Sequence, residues 1–237
     1  MGTIIQMNTI KKNPNQYINP RNFGWIHHKM SEQCINHIWD CINTAKGDNA
    51  KGNLVGQIDR SIVLEDKNGW LWNNVLKNLY LDYDSKWGHG HCKVPLNEDL
   101  DPYLKDMWVN YQKQHEYNPI HDHGGLYSFA AWLNIPTHYE DQAQIGNAKD
   151  ASSSYNSTFM FQYLDIFGSP QFMRYELSPD YENMLLFFPS CLQHCVFPYY
   201  NCNEERISIS GNIWLKHKGD NNVKYITTDR QSWQDMK

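Results

Sequence analysis

Seven short apolar segments between residues 107 and 215 constrain the fold of this chain more than anything else in it. They read MWVNYQ, YSFAAWLNI, STFMFQYL, FMRYELS, MLLFFP, HCVFPY and RISISGNIWL. Each is short, rich in β-branched or aromatic residues and closer to a period of two than of 3.6. Gly, Pro and Asn punctuate several of the gaps. A chain with that pattern pairs strands and buries one face of them. The first hundred residues read differently. SEQCINHIWDCINTAKG spaces Ile35, Ile38, Trp39 and Ile42 as a helix, with Ser31 as N-cap and Gly47 as stop. NGWLWNNVLKNLYLDY places Leu71, Val75, Leu79 and Tyr80 on a second helical stripe. GHGHCKVPLNEDLDP then reads as loop, and YEDQAQIGNAKDASSSYNS as a mobile polar loop. Helices followed by strands predict an α+β protein with a sandwich or barrel in its second half.

Composition narrows the class. At 237 residues the chain suits one large domain, and 14% aromatics supply a substantial core. The net charge of −5 argues against a nucleic-acid partner. Mean hydropathy is −0.70, and no apolar run reaches the ~18 residues of a membrane helix. The N-terminus lacks a basic segment followed by an apolar core, so a cytoplasmic protein is expected. Its six cysteines form no C-x-x-C pair and are expected to be reduced. Cys191, Cys195 and Cys202 crowd His194 without a structural zinc spacing.

The chemistry concentrates in NPIHDHGG. Residues two apart on a strand share a face, so His121 and His123 can both meet one metal while Asp122 faces away, unless a bulge turns it inward. A third ligand has to come from a distant segment, and His194 opens a later strand. Twelve residues on, Arg206 and Ser208 begin a strand whose polar face also carries Ser210 and Asn212. An arginine fork there suits a carboxylate. A second H-x-H, His89 and His91, sits in a Gly-rich stretch read as a flexible loop.

H-x-H, a distal His, then R-x-S resembles the iron(II)- and 2-oxoglutarate-dependent oxygenases. More narrowly, WVNYQKQHEYNPIHDHGGLYSFAAWLNIP and LLFFPSCLQHCVFPYYNCNEERISISGNIWL resemble members encoded in many marine phage genomes. The resemblance implies a double-stranded β-helix, a jelly-roll barrel with N-terminal helices packed on it. The resemblance covers roughly residues 105–215, and with the helical periodicity before it predicts a single domain made of a mainly helical part (1–104), a barrel core (105–217) and a C-terminal tail (218–237). It implies iron(II) held by His121, His123 and His194, and 2-oxoglutarate bound by Arg206 and Ser208. Tyr111 and Asn134, and beside them Asn110 and Tyr127, are further candidates toward the cosubstrate. The reaction implied is O2-dependent hydroxylation of a small molecule or protein, releasing succinate and CO2. The superfamily expects a carboxylate where His123 stands, so His123 and Asp122 compete for the third ligand. A three-His zinc hydrolase or hydratase and a non-catalytic barrel module are the alternatives. Neither the substrate nor the oligomeric state is written in the sequence.

Overall fold

In the computed structural model, residues 22–88, 100–146 and 148–218 are described. Their elements run β1 (Ile26–Lys29), α1 (Glu32–Asn43), β2 (Arg60–Leu64), α2 (Lys77–Trp87), β3 (Leu100–Gln112), β4 (Asn118–His121), β5 (Tyr127–Asn134), α3 (Tyr139–Gln142), β6 (Thr158–Leu164), β7 (Pro170–Glu176), β8 (Met184–Pro189), β9 (Gln193–Val196) and β10 (Arg206–His217). All seven expected strands are present. The strands pair antiparallel in two sheets, one ordered β1-β8-β5-β10-β3-β2 and one ordered β4-β9-β6-β7.

Alternation along β5, β8 and β10 builds two cores. Tyr127, Phe129, Ala131, Leu185, Phe187, Ile209 and Ile213 face the helices. Ala130, Trp132, Leu186 and Phe188 face the four-stranded sheet, which answers with Phe159, Phe161 and Val196. Gly211 is required where β10 crosses the helix-side core. A Cβ there would lie 2.5 Å from the Asp106 carbonyl and 2.6 Å from the Phe129 ring.

The helices close the outer face. Ser31 caps α1 by accepting from the Cys34 amide at 3.2 Å, and Cys34, Ile38 and Cys41 form its buried stripe. The second helix begins on Asp66, whose two carboxylate oxygens accept from the Leu71 and Trp72 amides, each at 2.9 Å. A π turn over Trp72–Leu76 shifts its phase, so Leu76 and Tyr83 join Leu71, Val75 and Leu79 in the core. Tyr80, expected on that stripe, is only half-buried.

Two strands were not expected, β1 and β2, which bring N-terminal residues into the six-stranded sheet. The strand expected to hold both His121 and His123 is β4, but it ends at His121 and leaves His123 in the loop that follows. The stretch expected as loop up to residue 102 already enters β3 at Leu100, while His89 and His91 lie outside the described residues. The polar segment after Ile135 is anchored rather than loose. Gln142 is buried, donates to the Tyr200 carbonyl at 2.9 Å and accepts from its amide at 2.8 Å. No helix among the described residues is long and apolar enough to cross a membrane.

Candidate metal centre

β4 and β9 are paired so that His121 lies directly opposite His194. The loop after β4 brings in His123, whose amide donates to the Ser190 carbonyl at 2.9 Å. That loop needs its glycines. Gly125 has φ +102°, and a Cβ on it would lie 2.7 Å from the Trp214 indole nitrogen and 2.8 Å from the Ile213 carbonyl. The result is a three-histidine cluster in which one ring nitrogen of each residue lies within 4.8 Å of the others. Asp122 is exposed and lies outside this cluster. No Cys, and none of His27, His28, His115, His138 or His217, joins a group of ligand geometry among the described residues.

The ring nitrogens are already assigned by their neighbours. His121 Nδ1 sits 2.7 Å from the Pro119 carbonyl and His194 Nδ1 sits 2.9 Å from the Leu192 carbonyl. A carbonyl only accepts, so both Nδ1 atoms carry hydrogen and both Nε2 lone pairs are free. His123 Nδ1 lies 3.0 Å from Ser128 Oγ. Ser128 in turn donates to Asn212 Oδ1 at 2.8 Å, so its oxygen accepts from His123. Burial lowers the pKa of all three rings, that of His123 to about 4 with a further push from His121. Three neutral imidazoles presenting Nε2 are a donor set for a divalent transition metal.

Arg206 opens β10 opposite Gln112 and is fully buried. Its Nε and Nη2 donate to Gln112 Oε1 at 3.0 and 2.8 Å. Nη2 also donates to the Phe197 carbonyl at 2.9 Å, and Nη1 to Ser157 Oγ at 3.3 Å. No acidic side chain pairs with it among the described residues. Burial draws its pKa down to about 10, so it stays a cation at neutral pH. Ser208 follows on the same face, between Asn110 and Trp132, and is half-buried.

Two further candidates are turned elsewhere. Tyr111 belongs to the helix-side core, beneath the Arg60 guanidinium at 3.8 Å, because alternation along β3 sends Asn110 and Gln112 inward instead. Asn134 spends its amide on the Glu205 carbonyl at 2.7 Å, a tie between strand ends. Tyr127 also faces the helix side, and Asn110 accepts from Ser61 at 2.7 Å. Sequence reasoning passed over Ser128, Gln112 and Ser157. Ser128 could have been noticed as the polar residue within an otherwise apolar stretch of β5.

Residues 106–212 match the sequence model of a family described as "Putative 2OG-Fe(II) oxygenase". The match covers just under half of the chain and marks that part as a 2-oxoglutarate/iron(II)-dependent oxygenase, an enzyme whose cofactors are iron(II) and 2-oxoglutarate. Among solved structures, a Pseudomonas putida prolyl-4-hydroxylase is 14% identical, with 83% of this chain and 94% of that one covered and a TM-score of 0.44. A Trichoplax adhaerens prolyl hydroxylase, solved with a hypoxia inducible factor peptide fragment, is 14% identical, with coverage of 82% and 84% and a TM-score of 0.45. No curated protein matches the chain in sequence.

Proposed function

We propose that this oxygenase hydroxylates a small molecule or a protein side chain, consuming 2-oxoglutarate and O2 and releasing succinate and CO2. Its iron is held by His121, His123 and His194, and the far carboxylate of 2-oxoglutarate is met by Arg206 with Ser208 beside it. The observation that carries this reading is the convergence of three histidines whose Nδ1 atoms are all occupied. The two antiparallel sheets support a double-stranded β-helix, in which β3-β10-β5-β8 would be one wall and β4-β9-β6-β7 the other. In this reading β1, β2 and the two longer helices pack around the first wall as parts of one domain.

Bound iron(II) supplies oxidative decarboxylation of the cosubstrate and hydroxylation of the substrate. The chain's own residues do the rest. The histidines stay neutral because burial disfavours their charged form, which keeps the Nε2 lone pairs available at neutral pH. Phe159, Phe161 and Phe188 pack around His194 with ring centroids 5.6, 6.1 and 5.0 Å away, which limits water at that ligand. Arg206 supplies a buried positive charge with no acidic side chain paired to it among the described residues. Leaving such a charge unpaired costs several kcal/mol, and an anionic cosubstrate removes that cost. Ser208 adds a hydroxyl donor on the same face.

The test is anaerobic. Adding 2-oxoglutarate to the iron(II)-loaded protein should produce a charge-transfer absorption that is absent in the His194→Ala variant. A wild-type protein that binds iron(II) yet shows no spectral response to 2-oxoglutarate would defeat the proposal.

A further inference from the structure

Two of the three histidines find their Nδ1 acceptor in their own backbone two residues back, Pro119 for His121 and Leu192 for His194. His123 does not. Its acceptor is built from side chains on two other strands, Ser128 on β5 and Asn212 on β10, which lie directly opposite each other. Ser128 is fully buried. The direction of this chain of bonds matters. A serine hydroxyl can donate or accept, so alone it fixes no tautomer. Asn212 Oδ1 takes the Ser128 hydrogen and leaves the Ser128 oxygen as an acceptor facing His123 Nδ1.

We infer that Ser128 and Asn212 are positioning residues that hold His123 as its Nδ1–H tautomer and thereby aim Nε2 at the metal. This rests on the three-histidine reading above and says how its unusual member is made competent. It also explains why two polar side chains are placed opposite each other on neighbouring strands. Outer partners of this kind fix ring orientation, and their loss typically costs ~10–100-fold in metal affinity or activity. Because both partners are neutral, the imidazole gains orientation without added negative charge. An aspartate at 212 keeps the acceptor and adds charge, which makes it the diagnostic conservative change.

The experiment uses the full chain and two readouts. Long-range proton–nitrogen NMR on the metal-free protein reports which nitrogen of each histidine is protonated, and anaerobic calorimetry with iron(II) or cobalt(II) reports affinity. In the wild type His123 should be protonated at Nδ1. Ser128→Ala and Asn212→Leu should shift it towards the Nε2–H form while His121 and His194 keep theirs. Metal affinity should fall ~10–100-fold in both variants. Asn212→Asp should retain the wild-type tautomer and bind metal at least as tightly. If Ser128→Ala fails to fold, Asn212→Leu tests the same bond from the other strand. An unchanged His123 tautomer in the variants, or unchanged metal affinity despite a shifted tautomer, would overturn the inference. A wild-type protein that binds neither metal would instead defeat the three-histidine reading itself, a result distinguishable from those two.

Discussion

Arg206 and Gln112, ninety-four residues apart in the chain, face each other across β10 and β3, and one amide oxygen accepts from both Nε and Nη2 of the guanidinium. The arginine is thus held rigid before any ligand arrives, with its charge unbalanced by any described carboxylate. Holding a donor in place in advance lowers the ordering cost of binding. Arg206→Lys keeps the charge but loses the planar fork. Its affinity for 2-oxoglutarate should fall by about tenfold or more, the effect of losing ~1.4 kcal/mol, while iron(II) affinity stays within about twofold. Titration of both ligands on the variant checks this, and an unchanged cosubstrate affinity would remove Arg206 from the site.

His123 stands where the wider family has a carboxylate. His123→Asp should retain measurable iron(II) binding, since it restores a two-His-one-carboxylate face suited to iron(II). His123→Phe should abolish it. Calorimetry under anaerobic conditions separates the cases, and equal affinity in wild type and both variants would mean that His123 does not touch the metal.

The loop that delivers His123 depends on Gly125. Gly125→Ala places a methyl against Trp214 and Ile213 at a backbone angle that side chains rarely adopt. A loss of ~1–3 kcal/mol in unfolding free energy is expected, together with weaker metal binding as the loop shifts. Urea denaturation of the metal-free protein measures the first, and an unchanged midpoint would contradict the packing described.

Acid should loosen the metal-free protein. Burial lowers all three histidine pKa values, His123 to about 4, whereas the unfolded chain titrates them near ~6.5. Below that value the unfolded state binds more protons than the folded one. Stability therefore falls as pH drops from about 6.5 towards 4 and is fully present above it. Urea midpoints across that range should decline with acid more steeply in the wild type than in His123→Phe, and identical slopes would contradict the account.

The strands of the second half were legible because alternation is a local property. The same-face argument for His121 and His123 does not hold as made, because β4 ends at His121 and the loop after it carries His123. The pairing of His121 with His194 was inferred from family resemblance, and the register across β4 and β9 agrees with it. β1 and β2 were not legible. Four and five residues long, they owe their existence to partners Met184–Phe187 and Met107–Tyr111, far away in sequence. The side on which Tyr111 lies was hidden for a related reason. A strand pattern gives two faces but not which one meets the helices, and here Tyr111 shares the helix side with Val109 and Met107. The partners of Arg206 were hidden too, since Gln112, Ser157 and Phe197 converge only once both sheets are closed.

The most direct test of the central claim is succinate formation from 2-oxoglutarate under O2, with iron(II) or zinc supplied to the metal-free protein. Slow turnover without added substrate is expected with iron(II) only, and it should disappear in His121→Ala and His194→Ala. Succinate formed equally with zinc, or in the absence of His121 and His194, would contradict the account.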